Sequence, residues 1–125
     1  MYVKTLDSGD NTYLGDEGSP DFVDLIFGGD GDDYIAGGVD DDTLYGQNGD
    51  DTLHGGFNND FLSGGAGADW LYGDTGDDTV FGGTGADRLF GGRGTDYLSG
   101  EDGDDTFYVD SADGVFFDTY NGGAG

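Results

Sequence analysis

The 125-residue chain holds 28 acidic residues against three basic ones, a formal net charge of -25, with 29 glycines and no cysteine. That length bounds it to one domain with a modest core, and the charge excludes nucleic acid and disfavours anionic membrane surfaces, since affinity for phosphates comes from Lys and Arg. Disulfides, thiolate sites and histidine-based zinc sites have no candidates, because His54 is the sole histidine; multivalent cations are the favoured partners.

Residues 1–27 read as a degenerate lead-in. The N-terminus, MYVKTLDSGDN, lacks the basic and apolar regions of a cleaved signal peptide, and no run in the chain reaches membrane-spanning length, so no membrane insertion is expected. Export would need another route or a further segment. The stretch LDSGDNTYL, Leu6 to Leu14, sets Gly9, Asn11 and Tyr13 at positions 4, 6 and 8 of a nine-residue frame that becomes regular downstream. GDEGSPDFV then carries the only proline, Pro20, where the frame calls for Asp, and DLIF restores phase with Asp24 at position 6 and Ile26 at position 8. Repeat arrays need atypical ends, so this segment is expected to cap the array that follows.

From Gly28 to Tyr108 nine units follow without a gap: GGDGDDYIA, GGVDDDTLY, GQNGDDTLH, GGFNNDFLS, GGAGADWLY, GDTGDDTVF, GGTGADRLF, GGRGTDYLS and GEDGDDTFY. High charge and glycine content alone suit a disordered segment. Abundant aromatics and this periodicity argue against that. Position 1 is Gly and position 6 is Asp in every unit, and position 8 is always apolar, from Ile35, Leu44 and Leu53 through to Leu98 and Phe107. Positions 7 to 9 are expected to form a very short strand with only the middle side chain inward. Positions 1 to 6 would turn the chain, with Gly supplying positive φ and Asp40 or Asn58 replacing it at position 4. Position 2 is looser, admitting Gln47, Asp74 and Glu101.

Two strands and two turns then make one coil of 18 residues, predicting an all-β, right-handed parallel β-roll. Its core of nine single side chains, each stabilising by roughly 1.5–3 kcal/mol, cannot by itself hold so charged and glycine-rich a chain. The missing contribution lies at position 6. Stacking brings together Asp33 with Asp51, Asp42 with Asp60, Asp51 with Asp69, Asp60 with Asp78, Asp69 with Asp87, Asp78 with Asp96 and Asp87 with Asp105; Asp24 with Asp42 makes an eighth, weaker pair. Carboxylates about one strand spacing apart repel unless a cation lies between them, and an all-oxygen, flexible cage selects calcium over magnesium. Up to about seven ions would fill these pairs, reducing the formal charge from -25 to -11. The position-5 residues Asp32, Asp41, Asp50, Asp77 and Asp104 read instead as solvated turn residues, because Ala68, Ala86 and Thr95 share that position. No flanking amphipathic helices support an EF-hand reading.

The pattern, met in full by GGAGADWLY and GGTGADRLF, resembles the nonapeptide of the repeats-in-toxin (RTX), or haemolysin-type calcium-binding, family over residues 28–108. That resemblance implies a β-roll with calcium held between adjacent turns by the position-6 carboxylates and by turn carbonyls, here those of Gly28, Gly37, Gly46, Gly55, Gly64, Gly73, Gly82, Gly91 and Gly100. It also implies a secreted, extracellular module of a longer bacterial protein that leaves the cell by the type I secretion machinery and folds where calcium is plentiful. With no Ser–His or Cys–His pair and no HExxH motif, no residue is assigned a catalytic role, and any catalytic domain would lie outside this chain.

Residues 109–125, VDSADGVFFDTYNGGAG, offer an apolar run, Val115 to Phe117, suited to cap the far end; the closing GGAG reads as the start of a further unit, as in a fragment. An alternative function rests on outward positions 7 and 9. Tyr34, His54, Trp70, Tyr72, Phe90 and Tyr108 fall on one face and Tyr45, Phe61, Phe81 and Tyr97 on the other. The column Tyr72–Phe90–Tyr108, with Trp70 beside it, would give an adhesin-like module a glycan- or protein-docking strip, or else serve as ordinary cross-strand pairing, the favoured reading.

Overall fold

A computed structural model describes residues 1–15, 23–108 and 119–124; Pro20 and the run Val115 to Phe117 lie outside them. Threonine and aromatic residues at positions 7 and 9, flanking an aliphatic position 8, suit a pleated, half-buried surface, and the chain forms strands wherever they occur. The strands are β1 (Tyr2–Thr5), β2 (Thr12–Leu14), β3 (Asp24–Asp30), β4 (Tyr34–Gly38), β5 (Thr43–Asn48), β6 (Thr52–Phe57), β7 (Phe61–Ala66), β8 (Trp70–Thr75), β9 (Thr79–Thr84), β10 (Arg88–Arg93), β11 (Tyr97–Asp102), β12 (Thr106–Tyr108) and β13 (Thr119–Asn121). Odd-numbered strands pair in parallel as one seven-stranded sheet, and even-numbered strands as a six-stranded one. Successive turns of the chain therefore alternate between two sheets, which makes a β-solenoid.

Register follows the 18-residue coil. Ile26 pairs with Leu44, Leu44 with Leu62, Leu62 with Val80 and Val80 with Leu98 in one sheet. Ile35, Leu53, Leu71, Leu89 and Phe107 form the matching column in the other. From Ile26 to Leu98 every position-8 side chain is fully buried, whereas Phe107, Tyr13 and Leu6 pack against this core and are partly buried. At the N-terminal end Tyr13 pairs with Ile35, and Lys4 takes the place of an apolar residue opposite Ile26.

The strands are longer than positions 7 to 9. Most run six residues, from position 7 through position 3, and the ladder skips position 1 and resumes at positions 2 and 3, as in Gly29↔Gln47 and Asp30↔Asn48. Glycine, which reads as turn in the sequence, here serves the extended segment. Position 1 is glycine for a steric reason. A Cβ on Gly64 would fall within 3.0 Å of both the Asp69 carboxylate and the Gly82 carbonyl oxygen. Position 2 is not permissive but left-handed, and Gln47, Asp74 and Glu101 adopt φ of 85°, 75° and 68° there. At position 4, Asp40 and Asn58 take φ of 81° and 79°, the conformation expected of them.

Outward positions 7 and 9 of the nine units carry no carboxylate, so the acidic residues of the array are confined to positions 1 to 6. On the even-strand sheet the rings of His54, Tyr72, Phe90 and Tyr108 stack in sequence at centroid separations of 4.4, 4.4 and 4.2 Å. Arg88 lies over Trp70 at 4.7 Å, and His54 Nδ1 contacts Asp74 Oδ2 at 3.0 Å. The odd-strand sheet carries a tilted zigzag, Tyr45–Phe61–Phe81–Tyr97.

Candidate metal centre

Each turn ends in a position-6 aspartate, where the chain enters the next strand. Asp24, Asp33, Asp42, Asp51, Asp60, Asp69, Asp78, Asp87 and Asp96 are 0–3 % exposed, an unusual state for so many carboxylates. Half of each group's bonding capacity is accounted for. The backbone N–H of Asp33 donates to Asp51 Oδ1 at 2.8 Å, Asp51 to Asp69 at 2.8 Å, Asp69 to Asp87 at 2.9 Å and Asp87 to Asp105 at 3.0 Å. The other row repeats this from Asp24 to Asp42, Asp42 to Asp60, Asp60 to Asp78 and Asp78 to Asp96, at 2.7–2.9 Å. All the pairs anticipated from the sequence are thus adjacent, each tied by one backbone bond.

The second oxygen is not accounted for. Oδ2 of Asp33, Asp42, Asp51, Asp60, Asp69, Asp78, Asp87, Asp96 and Asp105 is buried and accepts no hydrogen bond. A buried carboxylate oxygen without a donor costs several kcal/mol in order of magnitude, and native structures do not repeat such a cost without compensation. Next to each of these atoms is the space that an absent Cβ leaves. At Gly28, Gly37, Gly46, Gly55, Gly64, Gly73 and Gly82, the Oδ2 of the same unit and the position-1 carbonyl oxygen of the next coil both crowd that point. Those carbonyls belong to Gly46, Gly55, Gly64, Gly73, Gly82, Gly91 and Gly100, so two kinds of oxygen converge in a cradle that any larger residue would fill. The donor set is all oxygen and anionic, which suits a hard divalent cation of calcium type.

Electrostatics point the same way. Burial, the largest cause, raises the Asp42 and Asp51 carboxyls to about 6, Asp69 and Asp78 to about 7 and Asp60 to about 8; the backbone N–H bonds lower them, and neighbouring carboxylates raise them further. Asp87 is raised by the same burial. Such groups keep their protons to higher pH than ordinary carboxyls unless positive charge is brought to them.

Position 5 has a role that composition does not reveal. Asp32 Oδ1 accepts the N–H of Asp50 at 2.9 Å, Asp50 that of Ala68 at 2.8 Å, Asp41 that of Asn59 at 3.0 Å, Asn59 that of Asp77 at 2.8 Å and Asp77 that of Thr95 at 2.8 Å. These residues cap the backbone of the following coil. Ala68 and Thr95 need contribute only an N–H to this chain of bonds, which is why the position tolerates them. The preference for Asp or Asn at position 5 was the available signal.

The anticipated aromatic strip is also present. Phe90 lies between Tyr72 and Tyr108, so both of its faces are covered, and Trp70 is 40 % exposed beside it. Rings stacked this closely serve cross-strand packing.

A family model described as the RTX calcium-binding nonapeptide repeat matches four times, at residues 21–53, 45–80, 54–89 and 81–116. Among curated proteins and solved structures, none matches the chain.

Proposed function

Because the chain belongs to the RTX calcium-binding nonapeptide repeat family, we propose that it is a calcium-dependent folding module of a secreted bacterial protein, built as a β-roll whose turns close on calcium. The matched repeat is a structural calcium-binding unit, not a catalytic one. The observation that carries the reading is the repeated, buried Oδ2 that accepts no hydrogen bond beside a glycine cradle. In this reading Asp33, Asp42, Asp51, Asp60, Asp69, Asp78, Asp87, Asp96 and Asp105 hold calcium together with position-1 carbonyls. Bound calcium supplies the positive charge that these carboxylates otherwise lack. The chain's own residues align the rows, through backbone N–H bonds to Oδ1, and keep water out through the position-8 core.

Folding and binding are then one process, since neither row exists in the unfolded chain. Extracellular calcium modules work at dissociation constants of about 10⁻⁴–10⁻³ M, which keeps such a chain unfolded at low cytoplasmic calcium and folds it outside the cell. Passage through a type I secretion machinery, as part of a longer protein, fits that switch. A calcium titration followed by far-UV circular dichroism tests the reading. Conversion from coil to β structure at roughly millimolar calcium, with little effect of equal magnesium, is expected; no change with calcium would sink it.

A further inference from the structure

The first coil departs from the rule that governs the others. Asn11 sits in the position-6 register, because its N–H donates to Asp33 Oδ1 at 2.8 Å and its carbonyl accepts the N–H of Tyr34 at 2.9 Å. Asp33 makes the corresponding bonds with Asp51 and Thr52. The Asn11 side chain, however, ends in a neutral amide whose Nδ2 is a donor. Nδ2 donates to Asp7 O at 3.0 Å and also to Gly9 O, the carbonyls of positions 2 and 4 of its own turn. The Nδ2 of this uncharged amide brings two N–H donors, so it can draw in carbonyl oxygens as a cation does without a carboxylate to be neutralised.

The other row is headed differently, to the same effect. Asp24 is 3 % exposed and lies directly before Asp42 in its row, yet its Oδ2 accepts a hydrogen bond from the Tyr13 hydroxyl at 3.0 Å. Tyr13 occupies position 8, where the units from Ile35 to Leu98 carry an aliphatic side chain. It delivers a phenolic donor to the acid that would otherwise repeat the pattern of Asp42 and Asp60. Two unrelated side chains, 2 residues apart in the sequence, thus head both rows.

We infer that the N-terminal turn is a metal-independent cap, in which Asn11 Nδ2 gathers the carbonyls of its own turn and the Tyr13 hydroxyl satisfies Asp24 Oδ2 without a cation, so that the calcium rows begin at Asp33 and Asp42. The inference rests on the calcium reading above. It removes Asp24 from the metal-holding set. It also gives the N-terminal end of the roll a turn that is satisfied at any calcium concentration, against which the first calcium-dependent coil can pair.

Calcium bound per chain, measured by equilibrium dialysis at saturating calcium, tests the inference on the full chain and on Asn11→Asp and Tyr13→Phe. Asn11→Asp exchanges the donors for a carboxylate facing Asp33, and about one additional calcium per chain is expected. Tyr13→Phe removes the donor from Asp24 beside Asp42, and again about one additional ion is expected. Unchanged stoichiometry in both variants overturns the inference. So does an Asn11→Asp chain that fails to fold at saturating calcium, since a further carboxylate in this row should be absorbed by an ion. A wild-type chain that binds no calcium would instead overturn the preceding reading, and the two failures are therefore distinct.

Discussion

Without calcium, protonation offers the buried aspartate rows a way to shed charge. The Asp42 carboxyl, whose ordinary value is 3.8, is pushed by burial to about 6 in the folded chain. The folded chain therefore binds more protons than the unfolded chain between those values. This contribution to stability is fully present below about 3.8 and is lost as pH rises through about 6. A gap of about two units corresponds to about 3 kcal/mol for this one group. Asp51, Asp69, Asp78 and Asp60 act in the same direction, over a window that extends up to about 8 for Asp60. Acidifying the metal-free chain from about pH 8 to about pH 4.5 should accordingly raise its β content in far-UV circular dichroism. Calcium competes for the same oxygens. Its binding to the acid-folded chain should release protons in weakly buffered solution at about pH 4.5, and its titration midpoint should rise on acidification. A metal-free chain equally unstructured at both pH values, together with calcium binding that releases no protons, would refute the reasoning.

Gly64→Ala places a methyl between the Asp69 carboxylate and the Gly82 carbonyl. Overpacking should cost about 1–3 kcal/mol in calcium denaturant melts, and dialysis should show fewer bound ions. Asp50→Ala deprives Ala68 N–H of its acceptor and should cost about 0.5–1.5 kcal/mol with calcium stoichiometry unchanged. Asp51→Ala, one residue along, should lose bound calcium as well; equal stoichiometry in the two variants would contradict the division between positions 5 and 6. Tyr72→Ala removes a ring from between His54 and Phe90, and unfolding should show a loss of about 0.5–1.5 kcal/mol beyond that from buried area, again at constant stoichiometry.

Position 6 was legible in the sequence because two demands fall on the same residue. A carboxylate there accepts the N–H of the preceding coil through Oδ1 and keeps a second buried oxygen, Oδ2, which accepts no hydrogen bond. The apolar beat at position 8 was legible for a similar reason, since one inward side chain per strand leaves no freedom to drift. The extension of strands through positions 1 to 3 was not, because glycine chosen for steric clearance looks the same as glycine chosen for a turn. Asp50 and its equivalents read as solvated turn residues because their partners are backbone groups 18 residues ahead, and the Asp/Asn preference at position 5 does not name those partners. Asn11 and Tyr13 occur once each in their roles. A feature without a repeat has no periodicity to betray it, and here only the geometry showed which atoms the two side chains reach.

The inner and outer surfaces of the roll keep different time. Turn glycine, position-6 aspartate and core aliphatic recur every 9 residues, but a given outward column, such as His54–Tyr72–Phe90–Tyr108, recurs only every 18. Excising one unit would leave every turn and the core in register while sending all downstream outward side chains to the opposite sheet, so that loss of residues 73–81 would set Phe90 beside Ser63. Excising two units would preserve both. Gain or loss of whole coils is thus neutral to surface identity, whereas gain or loss of a half coil exchanges the faces of everything that follows.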